Sequence, residues 1–137
     1  MINKHVILRL FSVSLLPLFL LSCGGSGGGA DDDEATVRYK AEFEEGSVAC
    51  LVRLQWRDEE GNLHTYYDIN ESPWSRTIYP KDGAHLYLYA EIECGEITIR
   101  LYINGEQVER KTRTDWAEID GYLRIDEDGN ATFEDAE

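Results

Sequence analysis

The sequence predicts an all-β protein, an antiparallel β-sandwich of about seven or eight strands. From residue 36 onward, apolar and polar residues alternate, which is the period of a strand with one buried face. The alternating segments are short, recur about every ten residues and are separated by turn residues. No segment after the first 22 residues has a helical period. Two sheets that each have one apolar face must cover each other, so the pattern favours a sandwich.

The predicted strands follow one another in eight segments. Asn104-Gly105 is the strongest hairpin signal among the turns between them. Other turns are expected at 58–62, at 81–83 and at Gly95. The strands are expected at 36–43, 48–56, 63–69, 76–79, 86–94, 97–103, around Val108, and at 117–125.

The first 22 residues have the features of a bacterial lipoprotein signal peptide. Lys4 and Arg9 flank an apolar stretch that is short for a membrane-spanning helix. Residues 20–23 then resemble a lipobox, in which Cys23 carries the lipid. This predicts a mature protein held on the outer membrane of the cell envelope by acyl chains such as palmitate. Because Leu21 is bulky for a lipobox, an ordinary secretory signal and an uncleaved signal anchor remain alternatives.

Three further regions are expected after the signal peptide at 1–22. Residues 23–35 form a Gly/Ser-rich and then acidic tether, which is typical of a flexible, solvated segment. Residues 36–125 form the β-sandwich domain, and residues 126–137 form an acidic C-terminal tail. The acidic part of the tether resembles surface-export signals of bacterial lipoproteins, and a hydrophilic spacer is the alternative.

The charge balance argues against two classes of partner. The chain has 13 Lys+Arg and 27 Asp+Glu, and its net charge is −14. The signal peptide holds two of the cations and no acid, so the mature part is more acidic still. Such a surface repels phosphate backbones, which argues against nucleic-acid binding. It also repels anionic lipid, so membrane contact is expected through the acyl chains alone.

Two cysteines remain if Cys23 is lipidated. Cys50 and Cys94 are then an even pair in an oxidising compartment, which favours a disulfide. Cys50 starts its predicted strand and Cys94 ends its own, so antiparallel placement of these strands would bring the two thiols to one end. The sequence therefore predicts a Cys50–Cys94 disulfide.

No arrangement of residues predicts catalysis, a metal site or a cofactor. His64 and Asp68 share the polar face of one predicted strand, with Tyr66 between them, and Leu63, Thr65, Tyr67 and Ile69 form its other, apolar face. No motif supplies a nucleophile or an oxyanion site for the His/Asp pair. His85 stands alone, and three scattered histidines do not suggest a transition-metal site. The sequence therefore favours a protein that is not an enzyme.

The C-terminal segment has a partial resemblance to a calcium loop. Asp126, Asp128, Asn130 and Glu137 fall at loop positions 1, 3, 5 and 12. The sixth position, where the loop needs Gly for its sharp turn, is Ala131. We therefore expect a β-turn or a frayed tail.

Tyrosines on polar-facing positions form the candidate binding surface, namely Tyr87, Tyr89 and Tyr102. If Gly95-Glu96 is a two-residue hairpin loop, Tyr89 faces Tyr102 and Glu91 faces Arg100 across the hairpin. A Cys94-Gly95 loop would instead oppose two glutamates. Such a strip could bind a sugar or a protein, since tyrosine offers flat apolar area with a polar tip. Cross-strand stabilisation is the alternative.

Pro73-Trp74-Ser75 precede a predicted short strand, the segment 97–106 contains the Asn-Gly hairpin, and residues 58–62 form an earlier turn. In these motifs the segment 36–125, most of the mature chain, resembles the transport accessory MmpS family. The resemblance implies an immunoglobulin-like sandwich in the cell envelope that assists large lipid-exporting permeases. This chain departs from the family in its lipid anchor and in the positions of its cysteines.

Trp74 has two possible roles. It would either plug the end of the sandwich or serve as an exposed anchor for a partner.

These observations lead to two functional expectations. The first is a non-enzymatic, lipid-anchored envelope protein that is accessory to a transport or export complex and has a protein partner there. The second is a surface-exposed module that binds a glycan or a protein.

Overall fold

The computed structural model describes residues 33–43, 51–69 and 71–136, and within these ranges the chain forms nine strands and no helix. The predicted all-β antiparallel sandwich is confirmed, with one strand more than the sequence indicates. The strands are β1 (Val37–Phe43), β2 (Leu51–Arg57), β3 (Leu63–Ile69), β4 (Trp74–Ile78), β5 (His85–Ile92), β6 (Ile97–Ile103), β7 (Glu106–Arg113), β8 (Trp116–Ile125) and β9 (Ala131–Asp135).

The strands form two sheets whose neighbours are all antiparallel. The four-stranded sheet has the order β4-β1-β6-β7, and the five-stranded sheet has the order β3-β2-β5-β8-β9. Only β2–β3, β6–β7 and β8–β9 are hairpins between consecutive strands. Every other connection between the named strands carries the chain from one sheet to the other, so the two sheets are woven together.

The core lies between the two sheets and is built by alternation. In β5 and β6, each second residue is buried and its neighbours are not. Tyr39 is fully buried in β1, and its hydroxyl accepts a hydrogen bond from the Tyr87 N–H at 3.3 Å. Among the described residues, no polar or charged side chain other than this tyrosine and Trp56 is buried. The core is otherwise aliphatic: Val37, Leu54, Ile78, Leu86, Leu88, Ile92, Ile97, Ile99, Leu101, Ile103, Ile119 and Leu123.

Two hairpins of the five-stranded sheet use the same turn. In the β2–β3 turn, the Asp58 carboxylate accepts hydrogen bonds from the backbone N–H groups of Glu60 and Asn62. In the β8–β9 turn, Asp126 accepts the equivalent bonds. Each turn places a glycine at positive φ, which costs glycine little because it has no Cβ. The predicted turn at 58–62 is confirmed, and the segment after Asp126 is a turn of the same kind.

The Asn104-Gly105 turn between β6 and β7 is confirmed. Both residues have positive φ, 50° and 84°, as a type I′ hairpin requires. Asn104 also fixes the start of β1, since its N–H donates to the Thr36 carbonyl at 2.8 Å and its side chain accepts from the Thr36 N–H.

The predicted hairpin between β5 and β6 is wrong. The two strands lie in different sheets, and the segment between them crosses the sandwich instead of forming a two-residue loop. Tyr89 is opposite Gln55 and Glu118, whereas Tyr102 is opposite Arg38 and Gln107. The apolar faces of β5 and β6 therefore meet across the core instead of lying side by side.

Both ends of the domain extend beyond the boundaries that the sequence suggests. Ala35, placed in the tether, is 3% exposed, and its N–H donates to the Pro80 carbonyl. Residues 126–137, assigned to an acidic tail, contain β9, which pairs with β8 from Ala131 to Asp135. Phe133 of β9 packs against the core, which explains why this segment is a strand.

Several predictions fall on residues outside the described ranges. The signal peptide, the lipobox and Cys23 lie in the segment 1–32, and Cys50 lies in the segment 44–50. Cys94 is half-buried against the core and is disulfide-bonded. Leu51 is opposite Ile92, so β2 begins beside the end of β5. The Cys50–Cys94 pairing stays a prediction.

Candidate functional site

The outer face of the five-stranded sheet is rich in aromatic and charged side chains, and we call it the outer face below. These side chains alternate with the core positions along their strands. The outer face consists of Leu63, Thr65, Tyr67, Arg53, Gln55, Arg57, His85, Tyr87, Tyr89, Glu91, Trp116, Glu118, Asp120, Tyr122 and Arg124.

One row of this face runs straight across four strands. Tyr67 of β3 is opposite Arg53 of β2, which is opposite Glu91 of β5, which is opposite Trp116 of β8. Tyr67 is 66% exposed and Trp116 is 51% exposed. Three strand spacings separate them, which is ~14 Å. The row therefore has an exposed aromatic ring at each end and an ion pair between them.

The middle of the row is held by a compact cluster around Tyr89. The Arg53 guanidinium forms a 3.0 Å ion pair with Glu91 and donates to the Tyr89 hydroxyl at 3.1 Å. It also lies over the Tyr89 ring, 4.9 Å from the ring centre. Tyr89 donates to Glu91 at 3.2 Å and stacks on Trp116, with ring centres 6.1 Å apart. These contacts hold the rings in place before any ligand arrives.

A second set of pairs continues along β5 and β8. The Tyr87 hydroxyl donates to Glu118 at 3.0 Å. Burial, together with this hydrogen bond to a carboxylate, raises the pKa of Tyr87 to about 12, so the phenol stays neutral. His85 lies 2.5 Å from Asp120 and stacks on Tyr122 at 5.1 Å. The outer face thus offers flat rings bordered by carboxylate oxygens that accept hydrogen bonds.

The structure does not bring the three predicted tyrosines together. Tyr87 and Tyr89 lie on the outer face, but Tyr102 lies on the four-stranded sheet, on the opposite side of the sandwich. Arg38 covers the Tyr102 ring at 4.5 Å. Beside it, Arg100 pairs with Glu42 instead of Glu91. Tyr102 therefore packs within its own sheet and is not part of the candidate binding surface.

His64 lies in a different environment from the one the sequence indicates. Its Nε2 is 2.7 Å from the Asp58 carboxylate, and its ring stacks on Trp56 at 4.3 Å. This contact lowers the pKa of Asp58 to about 2. The two residues border a cleft of about 270 Å³ into which Arg76 also extends. His64 and Tyr66 are opposite core positions of β2, so β3 turns the face that was expected to be polar toward the sandwich.

Two other candidates have structural roles. Trp74 is half-buried, packs against the core and lies 6.2 Å from the Trp56 ring, as a plug of the sandwich margin would. The Asp126 carboxylate accepts hydrogen bonds from the backbone N–H groups of Asp128 and Asn130 and from the Asn130 side-chain amide, which contacts both of its oxygens. These bonds lower its pKa, chiefly the one from the Asn130 side chain. In the part of the chain that the structure describes, no cluster of three metal-ligating side chains occurs.

Three residues of the outer face escaped the sequence prediction. Trp116 immediately precedes the predicted strand 117–125 and alternates in step with Glu118, a signal that could have placed it on the polar face. Tyr67 was assigned to an apolar face because both faces of β3 carry rings or aliphatic groups. Arg53 alternates with Leu54 and Trp56 and so belongs to the polar face of its predicted strand, but no sequence signal pairs it with Tyr67 and Glu91, which lie 14 and 38 residues away.

Known proteins give no indication of the function of this chain. No protein-family model matches the chain, and no curated protein matches it. Within the described ranges, no helix has the length and apolar character needed to cross a membrane.

Proposed function

We propose that this chain is a non-enzymatic, lipid-anchored protein of the cell envelope that binds a glycan on its outer face. The observation that carries the proposal is the cross-strand row with exposed Tyr67 and Trp116 at its two ends. Both rings are accessible to a ligand that lies along the row, and burying their apolar area against that ligand would contribute binding free energy.

The chemistry of the row suits a sugar chain. The carbon-bound hydrogens on one face of a sugar ring form a flat apolar patch that stacks on tyrosine or tryptophan. The hydroxyl groups at the ring edge donate to carboxylates, and Glu91 and Glu118 lie beside the stacked pair of Tyr89 and Trp116. A strand-crossing row ~14 Å long has room for several sugar units of an extended chain.

The proposal can be tested by measuring the affinity for polysaccharides. The mature chain with Cys23→Ala is titrated with a panel of soluble glycans, and the best ligand is then used for variants. Trp116→Ala and Tyr67→Ala should each lower affinity by about tenfold or more, because the loss of a ring that stacks on the ligand should cost at least the ~1.4 kcal/mol of one decade.

Tyr79→Ala is the matched control. Tyr79 is 54% exposed but follows β4, outside the outer face, so its loss should leave the affinity unchanged. Failure of every glycan in the panel to bind would contradict the proposal, and so would an equal loss in all three variants.

An accessory role beside an envelope transporter is a second candidate. It is supported by the resemblance at 73–75 and 97–106, and in this chain those segments form the start of β4 and the β6–β7 hairpin. Copurification of a permease with the tagged, detergent-solubilised protein would favour this role over glycan binding.

A further inference from the structure

One edge of the five-stranded sheet is open over part of its length. β5 pairs with β8 from Trp116 to Tyr122, but β9 pairs with β8 only from Gly121 to Ile125. In the described part of the chain, no strand lies beside residues 116–119 on the side away from β5.

The backbone groups of β8 alternate between its two neighbours. The Asp115 carbonyl accepts from the Ile92 N–H at 2.7 Å, and the Leu123 N–H donates to the Ala84 carbonyl at 2.9 Å. Both bonds point to the β5 side. Since successive residues of a strand point in opposite directions, the odd-numbered residues of β8 bond toward β5 and the even-numbered ones bond toward the open edge.

The open edge therefore presents unpaired peptide groups. The Asp120 carbonyl already accepts from the Ala136 N–H at 3.0 Å, as this alternation requires. The Trp116 N–H is taken by the Asp115 carboxylate at 2.7 Å. The Trp116 carbonyl and both peptide groups of Glu118 remain as acceptor, donor and acceptor for an added strand.

A cleft of about 370 Å³ lies along this edge. It is bordered by residues 115–118 and by Lys111 and Arg113 of β7. These two cations are opposite Ile99 and Ile97, which are core positions, so their side chains point from the four-stranded sheet toward the open edge. Charges that point inward in this way also discourage unspecific pairing of sheet edges.

The two cations of the cleft have no carboxylate partner within the described ranges. Lys111 forms no ion pair within the described ranges, and Arg113 donates to the neighbouring Thr112 carbonyl. The two acids of the lining, Asp115 and Glu118, accept hydrogen bonds from the Trp116 N–H and from Tyr87 and keep their negative charge. Glu118 lies on the outer face, whereas Lys111 and Arg113 lie on the core side of the edge, so inward-pointing side chains of an added strand would meet the two cations.

We propose that this edge binds an extended acidic peptide segment of a partner protein, which adds to β8 as a further strand. The peptide would exchange main-chain hydrogen bonds with Trp116 and Glu118, and its carboxylates would lie near Lys111 and Arg113. The inference is independent of glycan binding, although Trp116 contributes its ring to one site and its carbonyl to the other.

The test uses a short peptide with blocked ends in which valine and glutamate alternate. It is titrated into the ¹⁵N-labelled mature chain with Cys23→Ala. Saturable shifts confined to the amides of 111–120 are expected. Two matched peptides serve as controls, one with lysine in place of glutamate and one with N-methylated amides on the pairing side. Each should bind about tenfold more weakly or worse, because each removes charge pairing or hydrogen bonds.

Two protein variants complete the test. The double variant Lys111→Glu, Arg113→Glu should prefer the lysine peptide. Glu118→Pro removes the N–H at the open edge but no bond to β5, and it should weaken the glutamate peptide by about tenfold. Equal binding of the glutamate and lysine peptides, shifts centred elsewhere, or no saturation at about 1 mM would overturn the proposal.

Discussion

At the scale of single residues, Gly121 fixes how closely β9 approaches β8. A Cβ at this position would overlap the backbone oxygen of Glu134 and the ring of Phe133. Its φ is not in the left-handed region, so the requirement for glycine is one of space and not of backbone conformation. The missing side chain lets Phe133 lie over the strand and reach the core.

Gly121→Ala should therefore destabilise the domain by about 1–3 kcal/mol, the usual cost of overpacking. Urea unfolding followed by tryptophan fluorescence measures this change. Thr132→Ala is the control, since Thr132 is exposed on β9, and it should change the free energy of unfolding by no more than about 0.5 kcal/mol. Equal stability of Gly121→Ala and the wild type would show that β9 does not pack as described.

Asp58 makes stability depend on acid pH. Hydrogen bonds, first that from His64, lower its pKa in the folded protein to about 2 from an ordinary value of 3.8. A carboxylate with a lowered pKa stabilises the fold above its unfolded pKa, and this stabilisation is lost as the pH falls from about 4 to about 2. As the pH falls, Asp58 in the unfolded state takes up a proton before Asp58 in the folded state does, so the free energy of unfolding decreases.

Asp58→Asn should flatten the dependence of the free energy of unfolding on pH between about 4 and 2. His64→Phe keeps a ring on Trp56 but removes the hydrogen bond, and it should flatten the same limb in part. Chemical unfolding at a series of pH values gives the slopes. An unchanged acid limb in Asp58→Asn would contradict this role.

At the scale of elements, the alternation of apolar residues predicted where the strands lie in the sequence, but it did not predict which strands pair with each other in a sheet. It located eight of the nine strands of the described ranges, because burial of one face imposes a period of two. It misplaced β5 beside β6, since the pattern is the same whether two apolar faces lie side by side or meet across a core. Of these nine strands, only β9 was not predicted, because its five residues include a single large apolar side chain and therefore show no alternation.

The same ambiguity explains the mixed result for the candidate site. Tyr87 and Tyr89 were found because they alternate with buried leucines in an unambiguous strand. Tyr102 follows the same pattern, but its sheet depends on strand pairing, which is a long-range property. Tyr67 was missed because neither face of β3 is clearly polar.

Removal of β9 tests the status of the C-terminal segment as part of the domain. A chain ending at Asn130 loses the contacts of Ala131 and Phe133 with the core and leaves the edge of β8 unpaired. Loss of a buried aromatic side chain costs about 3–5 kcal/mol, and a half-buried one costs less, so a lower melting temperature and self-association are expected. A chain lacking only Glu137 is the control. Equal melting temperatures of the two chains would show that β9 is not part of the stable fold.

At the scale of the whole molecule, the two sheets divide the surface into unlike faces. The outer face carries exposed rings and partly neutralised carboxylates, whereas on the four-stranded sheet Tyr102 lies under Arg38, and Arg100 pairs with Glu42. Lipidation and the Cys50–Cys94 bond stay predictions, since Cys23 and Cys50 lie outside the described residues.

The most direct test of the account is to map where a bound glycan contacts the domain. The ¹⁵N-labelled mature chain with Cys23→Ala is titrated with the tightest glycan of the panel, and backbone and indole shifts are followed. If the outer face binds the glycan, the largest changes occur at the Trp116 indole and at amides around Tyr67, Tyr89 and Glu91, while the amides around Tyr102 keep their shifts. Changes centred on the four-stranded sheet, or none with any glycan, would contradict the proposal.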